Sequence, residues 1–155
     1  MPATHITNSS SKLLISEILR KVSNAKTKSE KIKLLRDNNS VALRQLMIIN
    51  FDESIVSEIP EGSVPYTPND APVGTDHTRL ESEYRGLYRF FKGGDNTIKP
   101  LKRETMFIQL LEGLSAEEAE LLCLVKDGKL SEKYKRITKA VITEAFPSIE
   151  WGGRS

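Results

Sequence analysis

Apolar residues in the first third of the chain recur at helical spacing. Leu14, Ile15, Ile18, Leu19 and Val22 share one face of a 3.6-residue repeat, which predicts a helix over residues 12–25. Ser9, Ser10 and Ser11 precede it and read as a cap closing a polar, flexible lead over residues 1–11. Thr27 and Glu30 have capping-box spacing, so a second helix starts there. It carries Ile32, Leu34 and Leu35 and should stop near Asn38 and Asn39. Ser40 is placed to cap a third helix containing Val41, Leu43, Leu46, Met47 and Ile49. Connections this short favour antiparallel packing.

The pattern changes over residues 51–76. FDESIVSEIPEGSVPYTPNDAPVGTD holds Pro60, Pro65, Pro68 and Pro72, four of the chain's seven prolines. Proline removes amide donors and fixes φ, so no long helix fits. Ile55, Val56, Ile59, Val64 and Tyr66 are too apolar for a solvated linker. The reading is an extended, ordered arm lying on its own domain or on a partner.

Helical spacing then resumes. Leu80, Tyr84, Leu87, Tyr88 and Phe91 predict a helix over residues 78–92, stopped by Gly93-Gly94. Pro100 opens another, with Met106, Phe107, Leu110, Leu111 and Leu114 on its apolar side. Ser115 and Glu118 form a second capping box, starting a helix that runs to about Lys126, with Gly128 as its stop. A last helix covers residues 138–145 with Val141 and Ile142, and Pro147 closes it. The tail SIEWGGRS carries the sole tryptophan, Trp151. The fold class predicted is all-α: a compact bundle of six or seven short helices forming a single domain, residues 12–155, interrupted by the acidic arm.

At 155 residues the chain is long enough to bury a real core. No apolar run approaches the roughly 20 residues of a membrane-spanning helix. MPATHITNSSSK has no basic stretch followed by an apolar one, so no signal peptide is expected. Net charge is only +2, but it is segmental. Residues 12–44 hold nine basic and three acidic side chains. The arm has six acids and no Lys or Arg, and residues 79–103 hold seven basic and three acidic side chains. The arm could therefore lie over a basic surface, with residues 12–44 as one candidate and a neighbouring molecule as the other.

Candidate chemistry is sparse. His5 and His77 have no partners at metal-ligand spacing, and Cys123 is the only cysteine. Cys123 sits mid-helix without a cation or helix N-terminus to activate it, so it reads as a buried small hydrophobe. Gly93-Gly94 and Gly152-Gly153 match no phosphate-binding motif. Glu117, Glu118 and Glu120 fall in a first helical turn, where negative charge complements the dipole, and capping accounts for them. Lys26, Lys28, Lys31, Lys33 and Arg36 read as a solvated helix face. Tyr84, Arg85, Tyr88, Arg89, Phe90 and Phe91 interleave rings with arginines, a pattern that single-strand nucleic-acid binding can use, against which the low net charge counts. No catalytic residue, cofactor or metal is expected.

Two stretches carry a resemblance: KIKLLRDNNSVALRQLMIINFDESIVSEIPEGSVPYTP and GLYRFFKGGDNTIKPLKRETMFIQLLEGLSAEEAELLCLVKDGKLSEKYKRITKAVITEAFPSIEWGG. Over roughly residues 12–150 the chain resembles a family of small proteins encoded by tailed phages, marine cyanophages above all. The resemblance implies a viral protein and carries over no functional position. The function expected is a non-enzymatic protein-binding component, structural or assembly-related, in the virion or in the host cytoplasm during infection. The partners expected are other phage proteins or copies of the chain itself, with nucleic acid disfavoured and no membrane. The alternatives are a regulator of replication or transcription machinery and a single-strand nucleic-acid binder. The contact residues expected are Ile55, Ile59, Val64, Tyr66 and Trp151, with Tyr66 as anchor. The competing reading of the arm is an internal strap.

Overall fold

Four helix starts in this chain follow hydroxyl side chains. The computed structural model describes residues 13–69 and 77–153. In it, Thr27 Oγ1 accepts the Glu30 amide at 3.1 Å, Ser40 Oγ the Leu43 amide at 3.0 Å, and Ser115 Oγ the Glu118 amide at 3.3 Å. Thr138 Oγ1 accepts the Val141 amide at 3.3 Å. Each bond satisfies a first-turn N–H that has no partner inside its own helix.

In chain order the α-helices are α1 (Ile15–Asn24), α2 (Lys28–Asp37), α3 (Val41–Phe51), α4 (Leu80–Glu83), α5 (Pro100–Gly113), α6 (Ala116–Lys126) and α7 (Lys139–Ala145). Two 3-10 segments, Tyr84–Phe90 and Leu130–Glu132, complete the regular structure, and no strand occurs among the described residues. The fold is all-α, as the apolar spacing predicts. The lead at residues 1–11, His5 and residues 70–76 of the arm lie outside the described residues.

Helix α6 is the hub. It packs against α1, α3 and α5, while α2 sits between α1 and α7. Its Ala119, Leu121, Leu122 and Val125 are all buried, as expected of a helix with neighbours on several sides. Leu19 and Val22 of α1, Leu43, Leu46 and Met47 of α3, and Phe107 and Leu111 of α5 close around it in one core. Phe90 meets Phe107 edge-on with ring centroids 5.1 Å apart.

The helix expected over residues 78–92 is only one α-helical turn, followed by the 3-10 segment. Gly86 weakens helical propensity in its middle. Phe91 leaves the helix in an extended conformation and pairs antiparallel with Ser57 of the arm. There the Glu58 amide donates to Phe90 O at 2.8 Å and the Lys92 amide to Val56 O at 2.9 Å. Two hydrogen bonds to the arm thus replace continuation of the helix.

The arm begins at Asp52 and is fastened to its own chain. Two of its acids pair with cations outside residues 12–44, the basic surface suggested by segmental charge. Glu58 faces Arg103 at 3.7 Å and Glu61 pairs with Lys129 at 3.0 Å. Lys126 Nζ, on a fully buried side chain, donates to Pro60 O and Gly62 O, both at 3.0 Å, and to Asp127 Oδ1 at 2.8 Å. Asp127 Oδ2 in turn accepts the Gly62 amide, and Glu112 accepts the Thr67 amide, both at 2.9 Å. At the base of the arm, Asp52 accepts both Ser54 donors with one oxygen and the Gly152 amide with the other.

Charged side chains also close helix ends contributed by other elements. Lys31 Nζ is buried and donates to Val22 O, Ser23 O and Ala25 O at the C-terminus of α1. Arg36 donates to Glu144 O and Ala145 O at the end of α7. Arg103, also buried, donates to Arg89 O and Asp95 O. Cations complement the negative end of a helix and satisfy its free carbonyls.

Candidate functional site

With so many cations committed internally, a cluster of cations without ion pairs stands out. Lys28 and Lys33 pair with Glu144 and Asp37 at 2.8 and 2.6 Å, and Lys31 and Arg36 hold helix ends. Most of the basic run in α2 is therefore occupied. Arg20 pairs with Glu117, and Lys133 with Glu120. By contrast, Arg85, Arg89, Lys92, Lys99 and Lys102 form no ion pair among the described residues. All five surround Tyr88.

Tyr88 is 54% exposed and stands on the 3-10 segment between two depressions. The first is a cleft of about 400 Å³ between α3 and the 3-10 segment. Ile49, Ile55, Leu87 and Phe91 give it apolar walls, and Tyr84 and Tyr88 add rings. Gln45, Arg85 and Lys92 are its polar side chains, and no carboxylate lines it. The second depression holds Arg89, Lys99 and Lys102 with Ile98 and Met106. Its one acid, Asp95, is occupied: Oδ1 accepts the Thr97 hydroxyl at 2.6 Å and the Thr97 amide at 2.9 Å. Those bonds, the hydroxyl first, hold the Asp95 carboxyl below its ordinary pKa.

Local backbone geometry builds the cleft. A Cβ on Gly94 would lie 1.9 Å from Tyr88 O, so only glycine lets the turn close against the 3-10 segment. A Cβ on Gly86 would meet the Arg89 guanidinium at 2.6 Å. Arg85 lies over the Tyr84 ring, 5.7 Å from its centroid, and Arg89 over Tyr88 at 5.8 Å. Each guanidinium is attracted to the negative face of its ring.

The sequence-predicted contact residues do not form one site. Ile55 lines the cleft. Ile59 is buried in the chain's own core. Val64 and Tyr66 are half-buried against that core. Burial raises the Tyr66 hydroxyl pKa, with Cys123 and Glu120 of α6 adding to the rise. Trp151 sits on α7, donating from Nε1 to Thr143 Oγ1 at 3.1 Å beneath Lys139. Gln45, Ile49 and Gly94 were missed. They belong to two elements distant in sequence, and no local pattern marks them as neighbours.

Cys123 is half-buried rather than enclosed, and burial pushes its thiol up to about 11. Glu118 is fully buried, and its carboxylate does not turn back to its own helix start. Among the described residues no group of three or more His, Cys, Asp or Glu could hold a metal ion. No helix among them is long and apolar enough to cross a membrane.

Residues 18–132 match the model of a family of unknown function (DUF6433), and the chain belongs to that family. No curated protein and no solved structure matches the chain.

Proposed function

We propose that this DUF6433 member is a non-enzymatic protein-binding component encoded by a phage, a structural or assembly protein of the virion that grips its partner at the cleft beside Tyr88. The observation that carries the binding reading is the pairing of an apolar cleft with an exposed ring and five cations lacking carboxylate partners. An aromatic anchor in a partly desolvated depression is the usual centre of a protein interface. The viral setting rests on the resemblance over residues 12–150, and with it the location in the particle or the infected host's cytoplasm. The partner is another phage protein or a second copy of this chain.

A single-strand nucleic-acid binder is the second reading, favoured by rings interleaved with arginines. Against it, one face of Tyr84 and one of Tyr88 are already covered by guanidinium groups. Quantitative mass spectrometry of assembly intermediates and mature particles of the encoding phage tests the proposal. Stoichiometric presence at either stage supports it. Absence from both contradicts it and favours a regulator acting on replication or transcription machinery.

A further inference from the structure

We infer that the cleft receives an acidic segment of a partner protein, one that inserts a large apolar side chain between α3 and the 3-10 segment. This rests on reading the cleft as the partner site and adds the chemistry of what enters it. The apolar requirement comes from the walls: Ile49, Ile55, Leu87 and Phe91 offer no hydrogen bonds from their side chains, so a polar group set against them would be desolvated without compensation, while Gln45, Arg85 and Lys92 leave polar contacts to the flanks of the insert.

The acidic requirement comes from the rim. Arg85 and Lys92 stand at the cleft, with Arg89, Lys99 and Lys102 on the far side of Tyr88. Asp95 is the only acid lining either depression, so one carboxylate stands against these five cations. This surplus is local, because the whole chain carries only +2. Clustered like charges repel one another until a partner of opposite sign arrives, and such complementarity fixes orientation and speeds encounter. Apolar insertion supplies the affinity.

An oligonucleotide would meet the same cations but not the same walls. Bases need flat, open ring faces, and here guanidinium groups lie over one face of each tyrosine, with aliphatic side chains lining the concavity.

The test is selection of short random peptides by the full chain, with counter-selection on Tyr88→Ala and a parallel titration with oligo-dT. Selected peptides that depend on Tyr88 should carry Asp or Glu flanking a large apolar residue. Their binding should fall about tenfold or more in the Arg85→Gln, Lys92→Gln double variant, both positions being exposed. Tyr88-dependent peptides that are neutral or basic would overturn the acidic segment while leaving the cleft as a protein site. If no peptide depends on Tyr88, or if oligo-dT alone binds in a Tyr88-dependent way, the protein-site reading itself falls.

Discussion

Glu118 and Ile15 lie 103 residues apart, and Glu118 Oε2 accepts the Ile15 amide at 3.0 Å inside the core. Oε1 of the same carboxylate accepts the Leu80 amide, also at 3.0 Å. One side chain thus caps two helix starts, those of α1 and α4. Burial raises the Glu118 pKa, against the pull of these amides and of Arg79. Glu118→Ala would leave both amides buried without an acceptor, at about 1–3 kcal/mol each. Chemical denaturation should show a loss of about 3 kcal/mol or more, with Glu118→Gln intermediate because it retains one acceptor. A loss below about 1 kcal/mol for the alanine variant would show that the clamp is not structural.

The Gly93-Gly94 turn makes a sharper prediction about backbone. Gly94→Ala forces a methyl group onto Tyr88 O, so the turn must move and the cleft with it. The expected cost is about 2 kcal/mol or more. Gly93 has φ +85°, and a methyl group added there would have nothing within 4 Å, so Gly93→Ala meets only the left-handed backbone penalty of about 1–2 kcal/mol. Thermal melts of the two variants check the order, and equal or reversed effects would contradict the close approach.

Alkaline pH should destabilise the fold. Burial pushes Cys123 from 9.0 to about 11 and Tyr134 from 10.0 to about 12. Between each pair of values the native state keeps a proton that the unfolded chain has lost, so stability falls as pH rises. Melting temperature should begin to drop above pH 9. Cys123→Ala should remove the slope between 9.0 and 10.0 and reduce it up to about 11, leaving the Tyr134 contribution above 10.0. A pH-independent melting temperature across that window would contradict the burial of both groups.

The strap is held by charge. Lys126 is enclosed with Asp127 and two arm carbonyls, and removing one partner of such a pair leaves the other buried without compensation. Lys126→Ala should cost about 3–5 kcal/mol and expose residues 52–69 to proteolysis before the rest of the chain. Tyr66→Ala should lower the melting temperature as well, because its ring packs on the core. Unchanged melting in both variants would mean that the arm is dispensable to the fold.

How much was readable from residues alone follows the range of each interaction. The starts at Thr27, Ser40 and Ser115 depend on partners three residues away and were legible as caps, whereas for Thr138 the helix was expected but not its capping role. The roles of Glu118, Lys31 and Arg36 were not, because their partners come from other elements or from across a turn. A buried glutamate at a helix start looks like an ordinary first-turn acid, and a buried lysine like one of a solvated row. The exit from the helical run at Phe91 also depended on the arm pairing there. Within the site, the rings and arginines of residues 84–91 were visible as a pattern. Their meeting with Gln45, Ile49 and Ile55 was not, since only the fold brings α3 and the arm beside them.

The most direct measurement is particle incorporation of Tyr88→Ala. The variant is supplied in trans to a phage lacking the gene, and its copy number per particle or assembly intermediate is counted by mass spectrometry, alongside its melting temperature. Because Tyr88 is exposed, melting should match the unmodified chain, while incorporation falls about thirtyfold, the loss of about 2 kcal/mol expected for an interface anchor. In the proposed phage setting, incorporation equal to that of the unmodified chain, with melting unchanged, would contradict the cleft as the site of partner binding.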